Sequence, residues 1–151
     1  MNSLTASLVS LRFWTILVHC IVNIAIFYTK IDILQTGIEK SSETQENRQY
    51  EEANTKLMTA WALSTICFFL EFAGLFSGIT IFSSCLNLTY ISLHSCGAVF
   101  TLWQILEAWT TDAYLYIFGF FSLLPAVVEI SNIMFHLLFK FQVFKYIELH
   151  V

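Results

Sequence analysis

The sequence predicts an all-α fold: a polytopic membrane protein built as a four-helix transmembrane bundle. The first observation is composition. Of the 151 residues, 57% are hydrophobic and only 12% are charged, whereas soluble domains contain about 25% charged residues. Such a chain has too few charges to cover a water-exposed surface, so its apolar side chains require a bilayer. The net charge of −4 argues against nucleic acid as a partner.

The second observation is a nearly charge-free run in the middle of the chain. Between Leu57 and Leu106, Glu71 is the only residue that carries a full charge. One helix over this run would be about 75 Å long, whereas the hydrocarbon core is about 30 Å thick. The run therefore turns once and crosses twice, and its most polar point is Ser83-Ser84-Cys85. We expect two spans here, over 57–82 and 86–106.

Two further apolar segments flank this pair. The first span covers 10–28, with Arg12 and Lys30 as the charges that bracket it, and the fourth covers 114–139. A cleaved signal peptide is the alternative for the first segment, but no small-x-small cleavage site follows it. Because the runs lack the period-2 alternation of barrel strands, we expect all four spans to be helices.

The four spans are expected to form one domain over 1–151. The hydrophilic stretch over 31–56 is predicted to be a polar loop, in which residues 43–56 can form a helical turn or two leading into the second span, and no soluble catalytic domain is expected. Four spans place both termini on one side of the membrane. Lys and Arg are almost equally numerous on the two sides, so charge alone leaves the orientation open.

Each predicted span carries a sparse polar stripe at helical spacing. Polar and charged groups are costly in lipid, so the stripes are expected to face one another inside the bundle. The stripes are His19 and Asn23; Cys67, Glu71, Gly74 and Gly78; His94, Gly97, Thr101 and Gln104; and Ser122, Pro125, Glu129, Asn132 and His136.

Two acids and two imidazoles, namely His19, Glu71, His94 and Glu129, fall near the middle of their spans. This arrangement has three interpretations: a buried polar layer that sets helix register, a proton-coupled transport path, or a metal site. The metal interpretation is disfavoured because no tight HxxE or ExxH spacing is present. No catalytic or cofactor-binding residue is predicted.

Three further positions predict how the helices meet. Gly74 and Gly78 form a small-xxx-small pair on the face of Glu71, which lets a second backbone approach closely. Pro125 is expected to kink the fourth helix one turn before Glu129, because proline cannot donate the helical hydrogen bond.

Several motifs, taken in order, resemble the transmembrane protein 107 family. The resemblance covers the four spans and is weak over 31–56 and in the tail. The motifs are Arg12-Phe13 with His19; Glu71-Phe-Ala-Gly74-Leu-Phe-Ser-Gly78; His94-Ser-Cys96; Glu107-Ala-Trp109; Tyr116-Ile117-Phe118; and Leu124-Pro125-Ala126-Val127 with Glu129.

The resemblance implies a small scaffold of the ciliary transition zone. Members of the family work in the bilayer with the Meckel syndrome module, including tectonic-type subunits, and help build the gate that controls ciliary membrane protein composition. It implies cytosolic termini and no enzymatic activity, and no small-molecule substrate is expected. The candidate helix-packing or assembly residues are Glu71, Gly74, Gly78, His94, Pro125 and Glu129. The alternative is a small proton-coupled transporter that uses Glu71 or Glu129.

Overall fold

The chain folds into helices joined by short connections. The computed structural model describes residues 3–36, 38, 43–81 and 83–150, of which residues 43 and 142–150 are described by backbone only. The helices are α1 (Ser3–Thr36), α2 (Glu43–Ser77), α3 (Ser84–Glu107), α4 (Thr111–Phe118) and α5 (Leu124–His150), and a π-helix over Gly119–Leu123 joins α4 to α5. Within these described residues, four helical segments are long and apolar enough to cross a membrane, so the predicted all-α membrane fold is confirmed.

The segments pack as a bundle with two distinct ends. α1 packs most extensively against α3 and then against α2, while α2 also contacts α4 and α5. The start of α1, the α2–α3 connection and the second half of α5 lie at one end, which we call the terminal end. The end of α1, the start of α2 and the start of α4 lie at the other, which we call the loop end. This arrangement positions every polar side chain discussed below.

Most of the stretch over 31–56, predicted as a polar loop with some helix at 43–56, is helical in the structure. α1 continues through Thr36 and α2 begins at Glu43, while residues 37 and 39–42 lie outside the described part of the chain. At about 1.5 Å per residue, each of these helices is about 50 Å long. Both therefore extend well beyond a hydrocarbon core of about 30 Å.

The helical extensions at the loop end pack on one another through apolar side chains. Ile33 and Leu34 of α1 are buried in a cluster with Leu57 of α2, and Tyr50 packs against it. The charged residues of this stretch are mostly exposed around that cluster. The loop is predicted from the charges in the stretch, whereas the spacing of a few apolar residues determines how far the helices extend.

The turn between the second and third spans also falls earlier than predicted. α2 ends at Ser77, and Gly78 has a positive φ of 77°, which stops the helix. Ser83 is the N-cap of α3, and its side chain accepts a hydrogen bond from Leu86 N at 3.4 Å. Composition placed the turn at Ser83-Ser84-Cys85 because Ile79 and Ile81 continue the apolar run through the connection.

Pro125 is accommodated by the π-helix that precedes it. Leu124 N donates to Gly119 O, a hydrogen bond that spans five residues instead of four. Proline has no N–H, and its ring clashes with the carbonyl four residues back. The wider turn before Pro125 accommodates both the missing hydrogen bond and the ring. The irregularity expected at this proline is therefore a π-helical turn.

Gly78 and Gly119 have equal space for a side chain but differ in backbone conformation. A Cβ added at Gly78 or at Gly119 would meet no atom within 4 Å, but only Gly78 has a positive φ, since Gly119 has φ −60°. We expect Gly78→Ala to lower the free energy of unfolding by about 1 kcal/mol, because a Cβ is unfavourable in the left-handed region. Denaturant titration of the purified chain in mild detergent measures this.

Gly119→Ala is the matched control, since it adds the same methyl group to a helical backbone. It should leave stability unchanged or raise it slightly. Equal losses for the two alanine variants would contradict a strain confined to Gly78.

Candidate functional site

The interior of the bundle is unusually polar for a membrane protein. Residues of the predicted stripes in the first and third spans are buried, including His19 and Asn23 of α1 and His94, Thr101 and Gln104 of α3. In the fourth span Ser122 and Glu129 are buried, whereas His136 is exposed. The outer surface carries Leu, Ile, Val and Phe side chains. The stripes therefore do face inward, except at the far end of α5.

A charged cluster closes the terminal end of this interior. We give this name to Arg12, Thr80, Asn87 and Glu129. Arg12 Nη2 donates to Glu129 Oε2 at 2.9 Å, and both side chains are essentially inaccessible, at 0% and 1% exposed. Arg12 Nη1 donates to Thr80 Oγ1 at 3.0 Å and to Asn87 Oδ1 at 3.1 Å. One guanidinium thus joins α1 to α5, to the α2–α3 connection and to α3.

Other groups of the charged cluster make further contacts, although Arg12 Nε has no hydrogen-bond partner among the described residues. Thr80 Oγ1 donates to Glu129 Oε1 at 2.9 Å, so the carboxylate accepts at both oxygens. Asn87 Nδ2 donates to Ile81 O at 2.8 Å. The guanidinium carbon lies 3.9 Å from the centroid of the Tyr90 ring, a cation–π contact. The contacts to both terminal nitrogens of Arg12 and to both carboxylate oxygens of Glu129 make the buried charges tolerable in a low-dielectric environment.

Gly74 brings α2 into contact with the charged cluster. A Cβ at this position would overlap the carboxylate end of Glu129. That end is held by Arg12 and Thr80, so it has little freedom to move away. Glycine is therefore required here for α2 to pass beside the ion pair.

A second set of contacts, which we call the histidine chain, consists of Glu71, His94 and His19. Glu71 Oε2 contacts His94 Nε2, and His94 Nδ1 lies 3.2 Å from His19 Nδ1. All three residues are buried. The His19 ring also stands edge-on to Phe68 with centroids 4.8 Å apart. The histidine chain therefore joins α2, α3 and α1 at one level.

The histidine chain can hold its protons in alternative ways. Each contact between two heteroatoms requires one proton between them. If His94 donates from Nε2 to a Glu71 carboxylate, neutral His94 accepts at Nδ1 from His19. If Glu71 is protonated and donates, His94 donates from Nδ1 to His19. Both arrangements use the same heavy-atom positions, so the contacts persist in either state.

Further polar contacts connect helices toward the loop end. Tyr114 Oη of α4 donates to Asn23 Oδ1 of α1 at 2.6 Å, and Trp61 Nε1 of α2 donates to Asn23 O at 3.0 Å. Ser64 Oγ of α2 donates to Ser122 Oγ of the π-helix at 2.9 Å. Inter-helix polar contacts therefore recur along the length of the bundle.

The predicted site residues fall into different environments. Glu71 and His94 lie together in the histidine chain, and Gly74 lies against Glu129. Glu129, which we had grouped with the imidazoles, is paired with Arg12 instead. Pro125 is buried behind the π-helix. Gly78 does not admit a neighbouring helix, because it lies beyond the end of α2 and a Cβ there meets nothing.

Sequence reasoning missed most of the charged cluster. Arg12 was expected to bracket the first span and was counted among the charges that orient the chain, yet it is 0% exposed. A signal was present, because Arg12 lies seven residues before His19 on the same face of α1. Asn87 likewise lies seven residues before His94 on α3. No local pattern marks Thr80, which lies outside the helices.

The fold and this interior define a class: a four-span helical membrane protein whose spans are joined through buried charged and polar side chains. The comparisons narrow the class. The TMEM107 family model, described as "Transmembrane protein", matches residues 8–133. The chain belongs to the transmembrane protein 107 family, as the order of its motifs predicted.

The stretches matched to individual relatives cover most of this chain and most of each relative. The rat transmembrane protein 107 (Rattus norvegicus) is 33% identical over 124 residues, which are 82% of this chain and 86% of the relative. The human protein (Homo sapiens) is 32% identical over 83% of this chain and 88% of its own length. The zebrafish protein (Danio rerio) is 33% identical over 82% of this chain and 90% of its own length. No solved structure matches the chain.

The buried ion pair generates a stability prediction. We expect Arg12→Met or Glu129→Leu to lower the free energy of unfolding by about 3–5 kcal/mol, because each leaves the opposite charge buried and unpaired. The double variant should lose less than the sum of the two single losses, since it removes both charges. Denaturant titration of the four proteins in one detergent measures this coupling.

Asp32→Asn provides the control for these charge changes, since Asp32 is an exposed residue of α1 and its loss should change stability little. Additive losses in the double variant would show that Arg12 and Glu129 do not stabilise each other.

Proposed function

We propose that this chain is a structural scaffold of the ciliary transition zone. It assembles with the Meckel syndrome module, including tectonic-type subunits, through lateral contacts in the bilayer, and it supports the gate that controls ciliary membrane protein composition. Both termini are placed in the cytosol. Membership of the transmembrane protein 107 family supports this role. No enzymatic reaction is assigned to the chain.

The contacts made by the two interior carboxylates favour the scaffold role over transport. Glu129 is engaged at both oxygens by Arg12 and Thr80, and Glu71 contacts His94. A proton-coupled transporter requires a carboxylate that exchanges protons with substrate or water during its cycle. In this chain the two carboxylates hold helices together, which is what a scaffold requires.

Lateral contacts must use the outer surface, because the faces of Gly74 and Glu129 are occupied within the chain. The outer face of α3 carries several small side chains. The middle of this helix exposes Thr89, Ser92 and Cys96 at helical spacing, beside the exposed Leu88. Small side chains let helices approach closely in lipid. We assign this face to a transmembrane helix of a transition-zone partner.

Location and partner recruitment test the scaffold role. The chain, tagged at its own locus in ciliated cells, should form a narrow band at the cilium base, between a basal-body marker and an axonemal marker. Its removal should lower the amount of tectonic-type subunits there. We expect Glu71→Gln to restore recruitment, because an amide keeps the shape of the carboxylate and can still contact His94.

The same substitution tests the transporter alternative. Proton-coupled flux through Glu71 would be abolished in Glu71→Gln, since an amide does not titrate. A diffuse signal at the plasma membrane in cells with an intact transition zone would contradict the scaffold role. Failure of a folded Glu71→Gln protein to restore recruitment, together with pH-dependent flux of the reconstituted wild-type chain, would favour transport.

The α3 face is tested by adding bulk. Ser92→Phe should reduce enrichment at the cilium base and labelling of partners by a proximity enzyme fused to the chain, because the ring prevents close helix approach. Ile66→Phe is the control, since it places the same ring on an exposed position of α2. Gel filtration in detergent establishes that both variants fold. Equal enrichment of both would exclude this face as the contact.

A further inference from the structure

A polar cavity at the loop end adjoins an apolar groove on the outside of the bundle. The cavity has a volume of about 230 Å³ and lies between the start of α2 and the start of α4. The groove, of about 310 Å³, lies between α2 and α4. Lys56 lines both. A polar compartment joined to an apolar one by a lysine is suited to an amphipathic ligand.

The cavity lies at the depth of lipid headgroups. Lys56 directly precedes the apolar run that begins at Leu57. Trp109, one residue before the α4 N-cap, packs on Trp103 with ring centroids 5.5 Å apart, and tryptophan marks the membrane–water interface. From Lys56 the groove follows α2 to Leu63, a distance of about 10 Å along the helix axis toward the acyl chains.

The cavity presents groups that bind a phosphate. The Lys56 ammonium is one. The start of α4 is another: its N-cap Thr110 makes no side-chain capping hydrogen bond, and Ala113 N donates to Thr110 O at 3.1 Å, so the amides that can meet a phosphate are those of Thr111 and Asp112. Thr111 also lines the cavity, is only 7% exposed, and makes no hydrogen bond through its hydroxyl within the described part of the chain.

The cavity also presents groups that bind a cation. The carboxylates of Glu52 and Asp112 line it together with Lys56, and Glu52 Oε1 lies 2.8 Å from Lys56 Nζ. One cation and two anions give the lining a formal charge of 1 − 2 = −1. An anionic headgroup would therefore meet net repulsion, whereas a zwitterionic one finds a partner for each of its charges.

The chemistry of the lining distinguishes the two common zwitterionic headgroups. A primary ammonium donates three hydrogen bonds, for which the two carboxylates are acceptors. A trimethylammonium group donates none and is recognised by aromatic faces, and no aromatic side chain lines the cavity among the described residues.

We propose that this cavity and groove form a binding site for phosphatidylethanolamine. The phosphate contacts Lys56 and the start of α4, the ammonium contacts Glu52 and Asp112, and one acyl chain lies along Thr59, Ala60, Leu63, Leu115 and Phe118. The site lies at the loop end, away from the charged cluster and the histidine chain, and it does not depend on the scaffold role.

Lipid titration of the delipidated full chain in detergent tests the site. Native mass spectrometry counts bound lipid as phosphatidylethanolamine, phosphatidylcholine or phosphatidylglycerol of identical acyl composition is added. We expect the chain to bind phosphatidylethanolamine about tenfold more tightly than the other two, the effect of one charge-assisted contact. The unfolding temperature should rise in the same order. Equal affinities, or tighter binding of phosphatidylglycerol, would overturn the proposal.

Matched variants locate the headgroup. Lys56→Gln and Asp112→Asn should each remove the preference for phosphatidylethanolamine. Lys30→Gln and Asp32→Asn, which change the same residue types near the loop end outside the cavity, should retain it. Gel filtration establishes that each variant folds. A preference unchanged in Lys56→Gln would show that the headgroup binds elsewhere.

A second pair of variants tests the groove. Thr59→Trp fills the groove and should weaken phosphatidylethanolamine binding about tenfold, whereas Ile66→Trp adds the same ring to α2 outside the groove and should not. Glycerophosphoethanolamine, which has the headgroup without acyl chains, should bind more weakly than the lipid. If it bound as tightly as the lipid, the site would be for a soluble headgroup compound and the groove would have no role.

Discussion

The cost of burying Arg12 constrains the whole bundle. A guanidinium without a counter-charge is very unfavourable in a bilayer, and no residue on α1 supplies one. Its partners come from α5, from the α2–α3 connection and from α3. Gly74 of α2, which has no Cβ, leaves the space that the carboxylate of Glu129 occupies. The pairing of this one cation therefore requires all four spans to be assembled, in one order and at one register.

The other polar contacts act in the same way on smaller groups of helices. The histidine chain connects α1, α2 and α3, the Ser64–Ser122 contact connects α2 to the π-helix, and Tyr114 connects α4 to α1. In lipid the apolar side chains on the helix surfaces do not drive association, because acyl chains solvate them equally well. Which helices pair, and at what height, is then determined by polar contacts and by small residues such as Gly74.

This arrangement bears on the scaffold role that we propose for the chain. Its two interior carboxylates contact residues of its own fold, so the proposed interactions with other molecules fall to its outer surface and its ends. The exposed face of α3 offers small side chains to another helix, and the cavity beside Lys56 offers charged groups to a lipid headgroup.

The sequence by itself determined the class of fold, the number of spans and most of the inward faces. These properties follow from composition and from spacing along one helix: the apolar run around Glu71 has to cross twice, and His94, Thr101 and Gln104 recur on one side of α3. Motif order also identified the family correctly. Each of these signals is local, so it can be read without knowing what any residue touches.

Only the tertiary structure decided which polar groups pair. Arg12 was read as an end-of-span charge, although its partners Thr80, Asn87 and Glu129 lie 68, 75 and 117 residues away in the chain. Gly78 shares the spacing of a packing glycine but has the backbone of a helix stop. Spacing determines which face a residue occupies, whereas pairing depends on how the helices rotate and shift against one another. That arrangement is set by the sum of contacts across the bundle, and no single segment carries it.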